Sequence, residues 1–184
     1  MDTRRWIGRA ALVTGIAVML GAWRAQAGIA ISGGTPDQQA MGQWAEDRFA
    51  DAGIGVPSLE VRFHRNRGGC DDRLGLYDDG VAHICGLHVN DLSRRNLLHE
   101  MAHGWVESHV SASLEVRFLR LRQLETWNDH DAEWEERGTE HAAEIISWAI
   151  AGQPGGTGMP SIPMNYPSQL AAAYELLTGH PLPD

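Results

Sequence analysis

The chain has no lysine: all fifteen of its basic side chains are arginine, set against 24 acidic ones for a formal charge of −9. With so few cations, and no stripe of them, nucleic acid is excluded as an expected partner. Cysteine is almost as scarce, with two in 184 residues. That excludes a disulfide-dense scaffold and the paired C-x-x-C ligands of a structural zinc module. The most apolar stretch, Ala10 to Trp23, is shorter than a membrane span needs and is interrupted by Gly15 and Gly21. Neither an internal repeat nor a low-complexity tract is present, which excludes a solenoid. What is there is 43% hydrophobic, enough for the packed core of one domain.

Residues 1–27 have the three-part layout of an export signal: basic Arg4, Arg5 and Arg9, the apolar Ala10–Trp23, then the small-residue cleavage pattern Ala25-Gln26-Ala27. The paired arginines in Thr3–Arg9, the modest hydrophobicity and Arg24 before the cleavage site fit a twin-arginine signal better than a general secretory one. The expectation is a domain at 28–184, exported to the periplasm or beyond, monomeric and without a membrane span. Cleavage would leave 11 arginines against 23 acidic residues, a charge of −12. In an oxidising compartment Cys70 and Cys85 are expected to pair as a disulfide rather than stay free or bind metal.

Periodicity and turn residues divide the domain. Gly28–Thr35 is expected to be a mobile lead-in. Pro36 and Asp37 open a helix through Ala50, and Ser58–His64 alternates as a strand. Leu74–Tyr77 and Val81–Cys85, joined at Asp78-Asp79-Gly80, form a hairpin. A helix capped by Asp91 or Ser93 runs to about Glu107, and a second spans Leu114–Trp127 with Arg117, Arg120 and Arg122 mostly outside. Thr139 caps a third, Glu140 to Ala151, and Glu133, Glu135 and Glu136 before it form a solvated acidic patch. Gly152–Pro163 is a Gly/Pro-rich loop, and a last helix runs from Pro167 or Ser168 to Leu177.

The chemistry concentrates in Leu97–Trp105. His99 and His103, four apart, lie on one helix face about a turn apart, close enough to bind one metal ion. Glu100 follows the first and can take a proton from water at that metal. This H-E-x-x-H resembles the motif of zinc metallopeptidases. A catalytic zinc needs a third protein ligand and an open position. Glu140, with Glu144 one turn on, shares a face of a later helix.

Together, His99-Glu100-x-x-His103 and Glu140-x-x-x-Glu144 resemble the gluzincin branch of zinc peptidases and small bacterial zincin-like proteins. The resemblance covers most of 28–184. It implies an α+β, zincin-like fold: a small antiparallel or mixed sheet, an active-site helix and a following glutamate-bearing helix. It implies one Zn²⁺ on His99, His103 and Glu140, with Glu100 as the proton carrier. Glu144 takes the place of an Asp that orients a ligand histidine, and the longer arm is a departure. Val81, Ala82, His83 and Ile84, continuing to Gly86, are expected to be the edge strand that pairs with a peptide or protein substrate. For the oxyanion, His109, His130, His141 and Tyr166 stay open, with His141 expected to point elsewhere. The activity implied is amide hydrolysis. The alternative is a non-catalytic exported module that binds zinc or a protein.

Overall fold

A computed structural model describes residues 28–151 and 159–183. The expected export signal at 1–27 and residues 152–158 of the Gly/Pro-rich loop lie outside the described residues. In chain order the elements are β1 (Ala30–Gly33), α1 (Pro36–Asp51), β2 (Glu60–His64), β3 (Gly75–Asp78), β4 (Val81–Cys85), α2 (Asp91–His109), α3 (Ala112–Arg122), α4 (Gly138–Ile150) and α5 (Pro167–Thr178). The architecture is α+β: five helices and a small four-stranded mixed sheet among the described residues.

The sheet has the order β1-β2-β4-β3. β1 runs parallel to β2 and β2 parallel to β4, while β3 is antiparallel to β4. Two sequence expectations are corrected here. The glycine-rich lead-in is a strand over Ala30–Gly33, because β2 supplies its ladder partners and Ile31 packs on the core. Val81–Cys85, expected at the edge, is interior: it bonds β2 on one side and β3 on the other, so Val81, Ala82, His83 and Ile84 have no free ladder to offer a peptide. The edge is β3. The hairpin turn between them has positive φ at Asp79 (43°) and Gly80 (77°), the pair that a tight primed turn requires.

Alternation divides the sheet's faces. Val61, Phe63, Ala82 and Ile84 are buried under the helices, while Glu60, Arg62, His64 and His83 face the other way. The disulfide forms as expected, with Cys70 in the short 3-10 turn Arg67–Cys70 bonded to Cys85 at the end of β4. A closed loop of this length contributes about 3 kcal/mol by constraining the unfolded chain.

Helix ends follow local chemistry, in places different from that expected. Thr35 and Gln38 form a reciprocal capping box on α1. Asn90, not Asp91 or Ser93, caps α2; Ser93 is its reciprocal partner. α3 stops at Arg122, five residues early, because Gln123 turns left-handed (φ 57°) and Thr126 then bridges to Arg137. α4 starts one residue before Thr139, with Arg137 in the capping position, and Thr139 donates to Asn128 instead. Of the three α3 arginines expected outside, Arg122 is buried, at 2% exposure.

The core lies between sheet and helices. Leu97, Leu98, Met101, Ala102 and Trp105 of α2 join Ala142, Ala143, Ile145, Ile146 and Ile150 of α4 and Leu170, Ala173 and Tyr174 of α5. Gly104 lets α2 approach the sheet: a Cβ there would lie 2.5 Å from Leu59 Cδ2 and 3.1 Å from the Tyr77 ring. Arg48 of α1 donates to the Ile150 carbonyl at the end of α4 (2.7 Å), fixing that helix from its far end. No described helix is long and apolar enough to cross a membrane.

Candidate metal centre

α2 and α4 pack against each other, bringing the first turn of α4 beside the H-E-x-x-H turn of α2. His99 Nε2 and His103 Nε2 lie 3.1 Å apart. Glu140 Oε2 lies 3.2 Å from each. These three atoms form a nearly equilateral triangle. Donor atoms held about 2.05 Å from a tetrahedral zinc ion would be separated by about 3.3 Å, so the triangle fits one face of such a tetrahedron. The imidazole planes cross at 86°, which brings the two Nε2 atoms together without stacking the rings. His99, Glu100 and His103 also offer atoms within 4.8 Å of one another, a group that could hold a metal ion. Nitrogen and carboxylate donors with no thiolate suit zinc and its first-row neighbours.

The electrostatics match a site built around a cation. Burial alone would lower the pKa of His99, but the carboxylates of Glu140 and Glu144 outweigh it and raise the value to about 10. Burial works against the Glu140 carboxylate too, yet contacts with His103 and His99 hold its pKa below the ordinary range. Glu100 differs. It is 6% exposed, and burial pushes its pKa up against the pull of the two histidines.

Glu144 lies behind His99, where the resemblance implies that it accepts the other ring N–H. Its Oε1 is 3.2 Å from His99 Nδ1, but off the line of a good hydrogen bond, so Nδ1 makes none that is well directed. The contact is therefore one of charge and distance. The other carboxylate oxygen accepts from Arg95 at 2.5 Å, and this Arg95 pairing is what holds the longer glutamate arm. Burial raises the pKa of Glu144, and His99 and Arg95 more than offset that to lower it.

The triangle opens into a cleft of about 810 Å³. The cleft is lined by the edge strand β3, with Gly75, Leu76 and Tyr77, and by the segment before α4, with Trp127, His130 and Trp134. Gly75 lets β3 pass close over Glu100: a Cβ there would come within 2.5 Å of Glu100 Oε1 and 2.3 Å of Asn96 Nδ2, so both side chains would have to shift. The Tyr77 ring lies 6.1 Å from that of His103, nearly parallel to it, and its hydroxyl donates to Glu107.

Of the four oxyanion candidates, only His130 lines this cleft. His109 stacks on Trp105, His141 bonds the backbone of Glu135, and Tyr166 sits 71% exposed before α5. Sequence reasoning passed over Gly75, Tyr77, Trp127, Trp134 and Arg95. Gly75 carried a signal, since an isolated glycine within a strand pattern often marks a close backbone approach. The others are joined to the site only by long-range packing. Comparison with family models, curated proteins and solved structures returns no match for this chain.

Proposed function

We propose that the protein is an exported, zinc-dependent metallopeptidase with a zincin-like fold, hydrolysing amide bonds of a peptide or protein substrate. The observation that carries this reading is the donor triangle of His99, His103 and Glu140 with the carboxyl of Glu100 buried beside it. A purely structural metal site has no use for that fourth group. Zinc bound by the three donors supplies Lewis acidity, easing loss of a proton from water and attack on a carbonyl. Glu100 accepts the proton and delivers it to the departing amine. Burial raises its pKa, so its carboxylate takes up a proton more readily than an exposed one would. Glu144, held by Arg95, steadies the His99 ring from behind. Among the described residues β3 has no strand on its outer side, and an extended peptide adding to it would run along the cleft. Of the four oxyanion candidates His130 alone lines the cleft, which supports it as the donor to a developing oxyanion.

Export is supported by the arginine-led N-terminal pattern and the Cys70–Cys85 disulfide. The test is purification without chelator, metal analysis, and digestion of a peptide library by the wild type and by Glu100→Gln. One zinc per chain is expected in both, with hydrolysis reduced by about 10²- to 10⁴-fold in the variant. Full binding of zinc with no hydrolysis by the wild type favours the non-catalytic module. Absence of stoichiometric metal sinks the peptidase and leaves only a metal-free protein-binding module.

A further inference from the structure

Trp134 is a large apolar side chain left 37% exposed. Its ring stacks over that of His99, with centroids 6.3 Å apart and planes 29° apart, and it lines the cleft. It stands on a three-residue 3-10 turn, Trp134–Glu136, that has no side-chain cap. Such a turn has little of its own to fix a bulky ring.

The turn is held from behind by α4 and α3. Arg137 donates to the carbonyls of Ala132 (2.6 Å) and His130 (3.0 Å). His141 Nε2 lies 2.8 Å from the Glu135 carbonyl, and Arg122 Nε donates to His141 Nδ1 at 3.3 Å. These partners fix the tautomer. A guanidinium can only donate and a carbonyl can only accept, so His141 is neutral with its proton on Nε2. The rest of the buried Arg122 guanidinium bonds the carbonyls of Met164 and Pro163. Glu140 and His141 are adjacent, so one turn of α4 sends one side chain to the donor triangle and the next to the turn that carries Trp134.

We propose that Trp134 is the specificity-determining wall of the cleft, selecting a flat apolar side chain next to the scissile bond, and that His141 is its positioning residue. This deepens the peptidase reading and rests on it. An indole face stacked over a metal-ligand candidate borders the place where a substrate carbonyl must come, and it offers a sequence-selective surface for an aromatic partner.

The experiment uses the zinc-loaded protein and peptides that differ only beside the cut. The wild type is expected to favour aromatic over small residues by about 10- to 100-fold in kcat/KM. In Trp134→Ala that ratio collapses, chiefly through a higher KM for the aromatic peptides, and in Trp134→Phe it returns in part. His141→Leu is expected to behave like Trp134→Ala, and His141→Gln, whose amide can still donate to Glu135, to restore the ratio. A second readout needs no turnover: the NMR resonances of the His99 ring, displaced by the indole, should move in His141→Leu and return in His141→Gln. A ratio unchanged in Trp134→Ala overturns the specificity role, and unmoved His99 resonances in His141→Leu overturn the positioning role. A wild type that cuts no peptide defeats the peptidase reading and the specificity role with it, while the resonances still decide for His141.

Discussion

Two pairs of histidines in this protein bring ring nitrogens to nearly the same separation, yet only one pair belongs to a group that could hold a metal ion. On α2, His99 and His103 meet Nε2 to Nε2 at 3.1 Å with their planes at 86°. On the outer sheet face, His64 Nε2 and His83 Nδ1 are 2.8 Å apart, with planes at 22° and centroids 5.1 Å apart. That centroid distance is close to the nitrogen separation plus two ring radii of about 1.1 Å each, so the rings face each other in line across one shared proton. Their lone pairs do not converge on a third point. The surroundings differ as well. His99 is pulled up in pKa by Glu140 and Glu144 against its burial, whereas His83 is held down by burial, His64 and Arg62. Proximity of two imidazoles is therefore a weak criterion. Direction of the lone pairs and the sign of the neighbouring charge separate a ligand pair from a hydrogen-bonded pair.

The contrast breaks most severely if the carboxylate corner is removed. Glu140→Ala should lower zinc affinity by more than the roughly 10- to 100-fold expected for Glu144→Ala, which removes only a group behind the ligand. Competition with a chromogenic chelator measures both, and equal affinity in Glu140→Ala and wild type would show that the triangle is fortuitous.

A pH series sharpens the electrostatic half. In chelator-stripped protein, His99 has a folded pKa of about 10 against an ordinary 6.5. Its contribution to stability is therefore complete below about 6.5 and is lost as pH rises toward 10. Glu140 has a lowered pKa, so its contribution is present above the ordinary carboxylate range and is lost as pH falls below it. Denaturant midpoints of the stripped protein should accordingly decline from neutral to alkaline pH, and zinc should flatten that decline. A stripped protein equally stable at pH 6.5 and pH 10 contradicts the assignment.

The smallest effect belongs to the other pair. His64→Ala or His83→Ala should leave zinc stoichiometry and affinity unchanged and cost about 1 kcal/mol for one net hydrogen bond, read from chemical denaturation. A tenfold change in zinc affinity in either variant would contradict the separation of the two pairs.

Much of the chain's organisation was legible in the residues alone because its causes are local. Helical periodicity marked α1, α2, α4 and α5, Asp79-Gly80 marked the hairpin, and the four-residue spacing of His99 and His103 put both on one face. The boundaries that slipped were decided by neighbours. Ala30–Gly33 lies in the glycine-rich stretch Gly28–Thr35 and becomes a strand only because β2 runs beside it. Arg122 has the composition of a surface residue and is buried because carbonyls of Pro163 and Met164 and the ring of His141 receive its guanidinium.

What the sequence by itself determined is the donor chemistry: two imidazoles and a carboxyl on one helical turn, a pair of carboxylates one turn apart on another, and cysteines scarce enough to pair with each other. Tertiary structure alone decided that β4 is interior and β3 an edge of the sheet, that Glu140 comes within 3.2 Å of both imidazoles, and that Gly75 and Trp134 line the same cleft. The physical reason is range. Side-chain direction along one helix repeats with the backbone and can be counted, whereas strand order and the approach of α4 to α2 depend on how distant apolar faces find a common core.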